Sequence, residues 1–258
     1  MAFMPPEPSF FERWGPPANI TTLELPKAGV RVPLLYAEQP AAQFTILFSH
    51  GNAESLAGLR SMARFMNSEL ECNFAAFEYP GYAQTAWSDT QRTEQLLPSE
   101  AATLEAAECA LAWLIDERHI EPRTILLYGR SLGSGAAVHL AAQCGKSDVP
   151  LAGLVLQSPI ASAFRVMLPH LWWTLPYDIF ANIDKIGDVR CPTTIVHGTA
   201  DRVVPLANAK QLAAAIPPAQ LFEPLYIDGA GHNNIERQFG SVWLEHLRAF
   251  LARLKDVV

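Results

Sequence analysis

A serine lies between two glycines in the run Gly129–Gly133, which has the sequence GRSLG. This pattern is typical of a tight strand-to-helix turn that exposes a nucleophilic serine, because side chains at the glycine positions would collide with the turn. The context fits, since the apolar run TILLY precedes the turn and a helical pattern over Ser134–Cys144 follows it. The amino end of that helix would direct backbone amides at developing negative charge. We therefore expect Ser131 to be the nucleophile of an acyl-transfer reaction.

A serine hydroxyl attacks a carbonyl only with the help of a base and of a group that orients the base. His232 is the candidate base, because it lies in the flexible sequence GAGHN directly after the last predicted strand. The other histidines lie on or beside predicted helices, in an apolar segment, or at the ends of strands; they are His119, His139, His246, His170, His50 and His197. We expect the two at strand ends, His50 and His197, to orient neighbouring loops.

Asp201 is the candidate acid. It follows the predicted strand Thr193–His197 in the sequence HGTADRVVP, which places it at the carboxyl edge of the sheet, where α/β active sites assemble. The main rival is Asp228, four residues before His232. We favour Asp201 because the expected chain order of such sites is serine, then acid, then histidine. Asp184 and Asp188 precede the strand and suit helix or turn roles.

An acyl-transfer site also needs donors for the oxyanion of the tetrahedral intermediate. The backbone N–H of Leu132, directly after the candidate nucleophile, is the first. The second is expected in the loop after the third strand, which has the sequence SHGNAE. We assign the backbone N–H of Asn52 to this role, with Ala53 as the alternative one residue away. The loss of one such donor typically costs about 3 kcal/mol of transition-state stabilisation.

Eight short runs rich in apolar, β-branched and aromatic residues predict the strands that position these side chains. They are Ile20–Leu25, Val30–Ala37, Phe44–Ser49, Asn73–Tyr79, Thr124–Tyr128, Ala152–Gln157, Thr193–His197 and Phe222–Ile227. Helical patterns alternate with them, such as Ser99–Arg118 and a last helix from about Asn234 to Lys255. The alternation predicts one α/β domain over residues 1–258, with an eight-stranded, mostly parallel sheet covered by helices on both faces. No helix separates the first two strands, so we expect an antiparallel hairpin at one edge.

One apolar segment interrupts this alternation. Residues 160–183 are rich in Leu, Trp and Phe and are broken by Pro169 and Pro176. The segment is too apolar for an ordinary loop and too interrupted for one long helix. It is expected to be a small cap-like insertion over a pocket, and a core helix with its connector is the alternative.

The composition narrows the function classes. Half of the 258 residues are hydrophobic and 17% are charged, which allows a large buried core. The net charge of −7 argues against a nucleic-acid groove. The four cysteines lie far apart without metal-ligand spacing, so we expect buried thiols in a reducing compartment. No window of about 18 apolar residues and no signal-peptide core is present, and the expected location is the cytoplasm or the cytosolic face of a membrane.

With these residues in place, the sequence resembles the ABHD17-like group of α/β hydrolases along nearly its whole length. The motifs FMPPEPSF, HGNAE, EYPGY, GRSLGSG, SPIASAFRV, FANIDKI, HGTADRVVP and GAGHNNIE occur in that group's order. The animal members of the group are protein depalmitoylases. The resemblance implies the α/β-hydrolase fold and assigns nucleophile, acid and base to Ser131, Asp201 and His232, in agreement with the residue patterns.

Two features differ from the group. Its depalmitoylases carry acylated cysteines near the amino terminus, whereas the first cysteine of this sequence is Cys72. The loop after Tyr82 has the sequence AQTAW where relatives usually carry glycine and serine, which would reshape one wall of the pocket. Peripheral membrane contact is expected from the resemblance and from the apolar cap segment.

The predicted function is hydrolysis of acyl thioesters or esters, with long-chain acyl groups on S-acylated proteins as the favoured substrate. No metal or organic cofactor is required for this chemistry. Three alternatives stay open. A carboxylesterase or a monoacylglycerol lipase would use the same three side chains; a serine peptidase fits less well because no module for reading a peptide is evident. The third alternative is a non-catalytic lipid-binding or scaffold protein that kept the fold.

Overall fold

The computed structural model describes residues 3–5, 19–82 and 97–255. Within these residues eight strands form one sheet in the order β1-β2-β4-β3-β5-β6-β7-β8. They are β1 (Ile20–Leu25), β2 (Val30–Ala37), β3 (Thr45–Ser49), β4 (Asn73–Phe77), β5 (Ile125–Arg130), β6 (Gly153–Gln157), β7 (Thr193–Gly198) and β8 (Leu225–Ile227). Strands β3 to β8 are parallel, while β2 pairs antiparallel with both β1 and β4. The predicted sheet and its edge hairpin are confirmed.

Helices cover both faces of the sheet, as predicted. They are α1 (Leu56–Leu70), α2 (Glu100–Ala112), α3 (Ser134–Lys146), α4 (Ala163–Met167), α5 (Leu206–Ala215), α6 (Ile235–Gln238) and α7 (Gly240–Lys255). Two hydrophobic cores result, one on each face of the sheet, and the central strand β5 contributes alternate side chains to both. Its residues Ile125 and Leu127 pack with α2, α3 and α5, whereas Leu126 and Tyr128 pack with α1 and α7 on the other face.

Two predicted helices are interrupted. The stretch expected over Ser99–Arg118 is α-helical only to Ala112, where it continues as a π-helical turn over Trp113–Glu117. The last helix, expected from about Asn234, is broken at Phe239 into α6 and α7. This break lets α6 stay beside His232 while α7 packs its apolar face against the sheet. The 3.6-residue spacing of apolar residues in the sequence does not predict such a change of direction.

Strand ends also differ from the prediction for identifiable reasons. β4 ends at Phe77 rather than Tyr79, because the next two side chains turn to bond the loop after β3. The Tyr79 hydroxyl donates to the His50 carbonyl at 2.5 Å. β8 is regular only from Leu225, although the Phe222 N–H still donates to the Thr193 carbonyl at 2.8 Å.

The apolar segment 160–183 contains one short α-helix, α4, and ends at a 3-10 turn over Asn182–Asp184. The first turn of α4 is capped by Ser162, whose hydroxyl accepts from the Arg165 N–H at 3.2 Å. The two prolines rule out a continuous helix beyond it. Near the end of the segment, Phe180 is fully buried against α3. Gly135 makes this possible, because a Cβ there would lie 2.2 Å from the Phe180 ring.

Two sequence features fall wholly or partly outside the described residues. The AQTAW loop after Tyr82 is one, and most of the FMPPEPSF motif is the other. In the described ranges 3–5, 19–82 and 97–255, none of the helices combines the length and the apolar character needed to cross a bilayer.

Candidate active site

The serine between two glycines lies where the sequence predicts, on the turn between β5 and α3. Ser131 has a φ of +52°, in the left-handed region that non-glycine residues rarely adopt. A Cβ at Gly129 would lie 2.7 Å from the Ser134 Cα, and one at Gly133 would lie 2.1 Å from the Ser49 carbonyl oxygen. Both glycines are therefore required by close backbone approach, and the serine projects above the carboxyl edge of the sheet.

The structure brings Ser131, His232 and Asp201 together from positions 101 and 31 residues apart in the chain. The Ser131 Oγ lies 3.0 Å from His232 Nε2, and His232 Nδ1 lies 2.7 Å from Asp201 Oδ2. With the Nδ1 proton donated to the carboxylate, Nε2 is left free to accept the serine proton. These distances fit a nucleophile, a general base and an orienting acid.

The Asp201 carboxylate is fully buried and held on both oxygens. Oδ1 accepts from the backbone N–H groups of Val203 and Val204, each at 2.8 Å. Burial alone would raise the pKa of Asp201, but the hydrogen bond and charge of His232 and the two backbone donors outweigh it and lower that pKa. Asp201 is therefore an anion when it orients His232.

The rival acid, Asp228, lies apart from this arrangement. It is exposed at the end of β8, and its Oδ1 accepts from the Thr199 hydroxyl at 3.0 Å. His197 lies beneath Asp201 instead: its Nε2 is 3.0 Å from the Val204 carbonyl and 3.5 Å from Asp201 Oδ2. Burial lowers the pKa of His197, so the ring is neutral when it donates to Val204 and supports the acid-bearing loop.

The loop that carries Asn52 is fixed by its own side chains and by those beneath it. The Asn52 Oδ1 accepts from the Tyr82 hydroxyl and from the Met4 N–H. Beneath it, the buried His50 ring lies 2.9 Å from the Gly51 carbonyl and 3.0 Å from Glu78 Oε1. Asn52 and Leu132 border the same cavity. The roles of Leu132 and Asn52 as oxyanion donors stay predictions.

A cavity of about 750 Å³ opens directly at Ser131 and His232. This volume lies within the range of about 300–1,000 Å³ typical of small-molecule sites. Its walls are mostly apolar and come from the nucleophile turn, the acid-bearing loop and the segment 160–183; they include Leu132, Ile160, Phe164, Val166, Met167, Ile179 and Val204. The segment thus covers part of the cavity, and its apolar side chains suit a hydrocarbon ligand.

Three charged residues at the site were not singled out by sequence reasoning. Arg130 pairs with Glu54 in the Asn52 loop and with Glu236 in α6, and all three line the cavity. The sequence did contain one signal for them. Arg130 directly precedes Ser131, and a partly buried charge needs a partner of opposite charge. The motifs HGNAE and GHNNIE each contain a glutamate, Glu54 and Glu236, that can be this partner.

The cysteines lie away from this chemistry. All four fall within the described residues, none lines the cavity at Ser131, and burial raises the pKa of each thiol. For Cys72 and Cys191 the pKa is raised to about 12. Cys144 and Cys191 line a separate cavity of about 490 Å³ at the amino ends of β6, β7 and β8. A thiolate nucleophile is therefore not part of this site.

Comparison with known proteins agrees with the fold. No family model matches the chain. In structure, it resembles the esterase Pf2001 of Pyrococcus furiosus with a TM-score of 0.70 at 15% identity, over 97% of this chain and 98% of that one. At this identity the likeness concerns the fold alone, which is the α/β-hydrolase fold.

Relatives in sequence are closer. The human alpha/beta hydrolase domain-containing protein 17B is 34% identical over 226 residues, 87% of this chain and 72% of that protein. The Caenorhabditis elegans alpha/beta hydrolase domain-containing protein aho-3 is 35% identical over 212 residues, 82% of this chain and 58% of that protein. The chain therefore belongs to the family of the alpha/beta hydrolase domain-containing proteins 17 and is a hydrolase.

Proposed function

We propose that this chain is a serine hydrolase that cleaves long-chain acyl thioesters, with S-acylated proteins as its substrate class. One observation carries the proposal: Ser131 is aligned with His232 and Asp201, and Ser131 and His232 line a mostly apolar cavity of about 750 Å³. An acyl chain in this cavity would place its carbonyl carbon beside the Ser131 hydroxyl. Each buried methylene group contributes about 0.8 kcal/mol, so the apolar walls favour long chains.

In the proposed reaction, the Ser131 Oγ attacks the acyl carbonyl while His232 Nε2 takes the hydroxyl proton. Asp201 stabilises the resulting imidazolium, and the amides of Leu132 and Asn52 stabilise the oxyanion. The carbon–sulfur bond then breaks, and His232 gives its proton to the leaving thiolate. A water molecule, deprotonated by His232, attacks the acyl-serine; the carbon–oxygen bond breaks and the fatty acid leaves while Ser131 regains its proton.

We also propose a peripheral contact between the cap segment and a membrane surface. Trp172 and Tyr177 of the cap segment are 84% and 96% exposed, and Tyr177 also lines the cavity. Aromatic side chains of this kind favour the lipid–water interface. A substrate whose acyl chain is embedded in a membrane would meet the cavity at that surface. We propose the cytoplasmic face of a membrane as the location, because the four cysteines are free thiols, as is usual in a reducing compartment.

The test compares hydrolysis of a thioester and an oxyester that carry the same long acyl chain, by the wild type and by Ser131→Ala. We expect turnover that prefers the thioester and that falls about 10⁴-fold or more in the variant. Ser68→Ala is the matched control, because this exposed hydroxyl on α1 bonds only the Phe65 carbonyl within the described structure. Labelling of Ser131 by a fluorophosphonate separates catalysis from mere lipid binding.

Each other outcome has a definite meaning. A preference for the oxyester would assign the protein to the carboxylesterases or monoacylglycerol lipases and leave the three catalytic side chains in their roles. Near-normal turnover by Ser131→Ala would refute the serine mechanism. Lipid binding without fluorophosphonate labelling or turnover would support the non-catalytic alternative.

A further inference from the structure

Arg130 occupies the position directly before the candidate nucleophile and is paired with two carboxylates. Its Nη2 and Nε contact the two oxygens of Glu54, the latter at 3.2 Å, and its Nη1 lies 2.7 Å from Glu236 Oε1. The guanidinium also lies 5.3 Å from the centre of the Phe48 ring. The Arg130 side chain is only 17% exposed, so its charge is largely withdrawn from water.

The Glu54 contact fixes the loop that carries Asn52. The second carboxylate oxygen of Glu54, which Arg130 Nε contacts, also accepts from the Gly51 N–H at 2.5 Å. A Cβ at Gly51 would lie 3.0 Å from that oxygen, so a side chain at this position would crowd the contact. Gly51 immediately precedes Asn52, and the carboxylate therefore sets the direction in which the next backbone amide points.

The Glu236 contact ties the same arginine to the histidine side of the site. Glu236 lies in α6, which begins three residues after His232. Its Oε1 also accepts from Gln157 Nε2 at 2.8 Å, and Gln157 accepts from the Tyr128 hydroxyl. Trp243 Nε1 donates to that hydroxyl at 3.2 Å. Through these side chains, α6 is anchored to β5, β6 and α7.

Loss of the arginine charge would leave two carboxylates close together without a counter-ion. Partly buried like charges repel, and an ion pair that loses one partner is strongly unfavourable because the other charge stays desolvated. Glu54 and Glu236 would then move apart or turn to solvent. Because Glu54 lies in the Asn52 loop and Glu236 in α6, this loop and the helix that follows His232 would lose their common anchor.

We propose that Arg130 is a positioning residue that holds the Asn52 loop and the His232 loop at the distances that the transition state requires. This inference rests on the proposed serine hydrolase function. The guanidinium is occupied by Glu54 and Glu236, so it acts through them and not on the substrate. A misplacement of catalytic groups by about 1 Å is enough to cost roughly 100-fold in rate.

The test replaces Arg130 by glutamine and by lysine and measures long-chain thioester hydrolysis per active site, with sites counted by fluorophosphonate labelling. We expect Arg130→Gln to lower kcat about 10- to 100-fold with little change in KM, since the acyl cavity is intact. Arg130→Lys keeps the charge without the two-pronged contact and should retain an intermediate rate. Glu54→Gln, which keeps an acceptor for the Gly51 N–H, should cause a smaller loss than Arg130→Gln.

Inhibitor binding separates positioning from a general effect on stability. A long-chain alkyl trifluoromethyl ketone adds to Ser131 and forms a tetrahedral oxyanion, whereas the matching methyl ketone stays trigonal. The proposal predicts that Arg130→Gln weakens the first inhibitor by the same factor as kcat/KM and leaves the second unchanged. Arg248→Gln is the matched control, because it breaks a partly exposed pair with Glu69 (3.0 Å) remote from the site.

The outcomes distinguish the two proposals. Wild-type protein without labelling or turnover would refute the serine hydrolase function itself. Active wild type together with an Arg130→Gln variant of unchanged kcat and unchanged trifluoromethyl ketone affinity would overturn only the role of Arg130. A rise in KM with equal weakening of both ketones would show that Arg130 shapes the acyl cavity instead, and would also overturn it. If Arg130→Gln does not fold, the same comparison is made with Arg130→Lys and Glu54→Gln.

Discussion

At Asp201 the two carboxylate oxygens have separate tasks. Oδ1 is held by backbone donors of its own loop, and Oδ2 holds the His232 ring at 2.7 Å. An asparagine at this position would present an amide of the same shape but could accept only through one atom. The orientation of that amide would be set by the backbone donors, leaving its N–H₂ group to face His232 and favour the wrong tautomer.

We therefore expect Asp201→Asn to lower kcat by roughly 10³- to 10⁴-fold while the protein stays folded. Asp228→Asn is the matched control, since Asp228 is exposed and bonds Thr199. Steady-state hydrolysis of the thioester probe and a thermal melt check both variants. Equal rates for the two variants, or a larger loss in Asp228→Asn, would contradict the assignment of the acid.

The residues brought together in the site could largely be predicted from sequence, because glycine spacing and strand ends determine where Ser131, Asp201 and His232 lie. The partners of Arg130 could not be predicted from the sequence. They lie 76 and 106 residues away, and no periodic pattern links a charge to a partner at such separation. The same holds for the Tyr82 hydroxyl and the Asn52 side chain, which are 30 residues apart. Long-range polar contacts need the folded chain.

Among the elements, the segment 160–183 has the most unusual surface. It buries Phe180 at one end and exposes large apolar side chains in its middle, including Met167, Trp172 and Tyr177. A soluble domain rarely clusters such residues without use. Met167 and Tyr177 also line the cavity, so under the proposed function a membrane surface that covers them would also supply the acyl chain.

We expect the purified chain to float with neutral phosphatidylcholine vesicles in a density gradient, and the double variant Trp172→Ser/Tyr177→Ser to stay in the soluble fraction. Neutral lipid is chosen because the chain's net charge of −7 disfavours anionic lipid. Leu97→Ser removes an equally exposed apolar side chain outside the segment and should float like the wild type. A wild type that never floats would refute the membrane contact.

The order of strands and helices was predictable because each strand of the parallel sheet is a continuous apolar run bounded by turn residues. The interruptions within the helices were not predictable from the sequence. Whether the last helix would break at Phe239 depends on the separate anchoring of Glu236 and Trp243, which only tertiary packing decides. The segment 160–183 is similar: its composition predicts burial or ligand contact, and the cavity beneath it decides between them.

At the scale of the whole molecule, buried titratable groups make the fold sensitive to acid. Burial lowers the pKa of His197 and His246 below the ordinary value of 6.5. The pKa values of Asp201 and Glu236 are lowered as well. Burial alone would raise both values, but His232 stabilises the Asp201 anion and Arg130 stabilises the Glu236 anion. In every case the unfolded chain binds protons more readily than the folded chain, so acid favours unfolding.

Because these four pKa values are lower in the folded chain than in the unfolded chain, stability is expected to decrease in two separate pH ranges. As the pH falls below about 6.5, the histidines of the unfolded chain charge first, and the free energy of unfolding should decrease. A second decrease is expected below the ordinary carboxyl pKa values of 3.8 and 4.5, as Asp201 and Glu236 take up protons. Urea unfolding between pH 7.5 and pH 5 measures the first of these ranges.

His246→Gln should flatten this first decrease, because glutamine can still bond the Thr194 hydroxyl but does not titrate. His119→Gln, at a position exposed to solvent, is the control and should keep the wild-type slope. A free energy of unfolding that stays constant between pH 7.5 and pH 5 would contradict the part that His197 and His246 play in acid sensitivity.

The close packing of Gly135 and the Phe180 ring has a consequence for how this sequence can change over generations. A side chain at 135 and the full ring at 180 cannot occupy the same space. Descendants of this chain can therefore enlarge position 135 only together with, or after, a reduction at position 180. Mutational drift at two sites 45 residues apart is thereby coupled, so a change at position 135 of α3, the helix after Ser131, constrains which residue the segment 160–183 can carry at position 180.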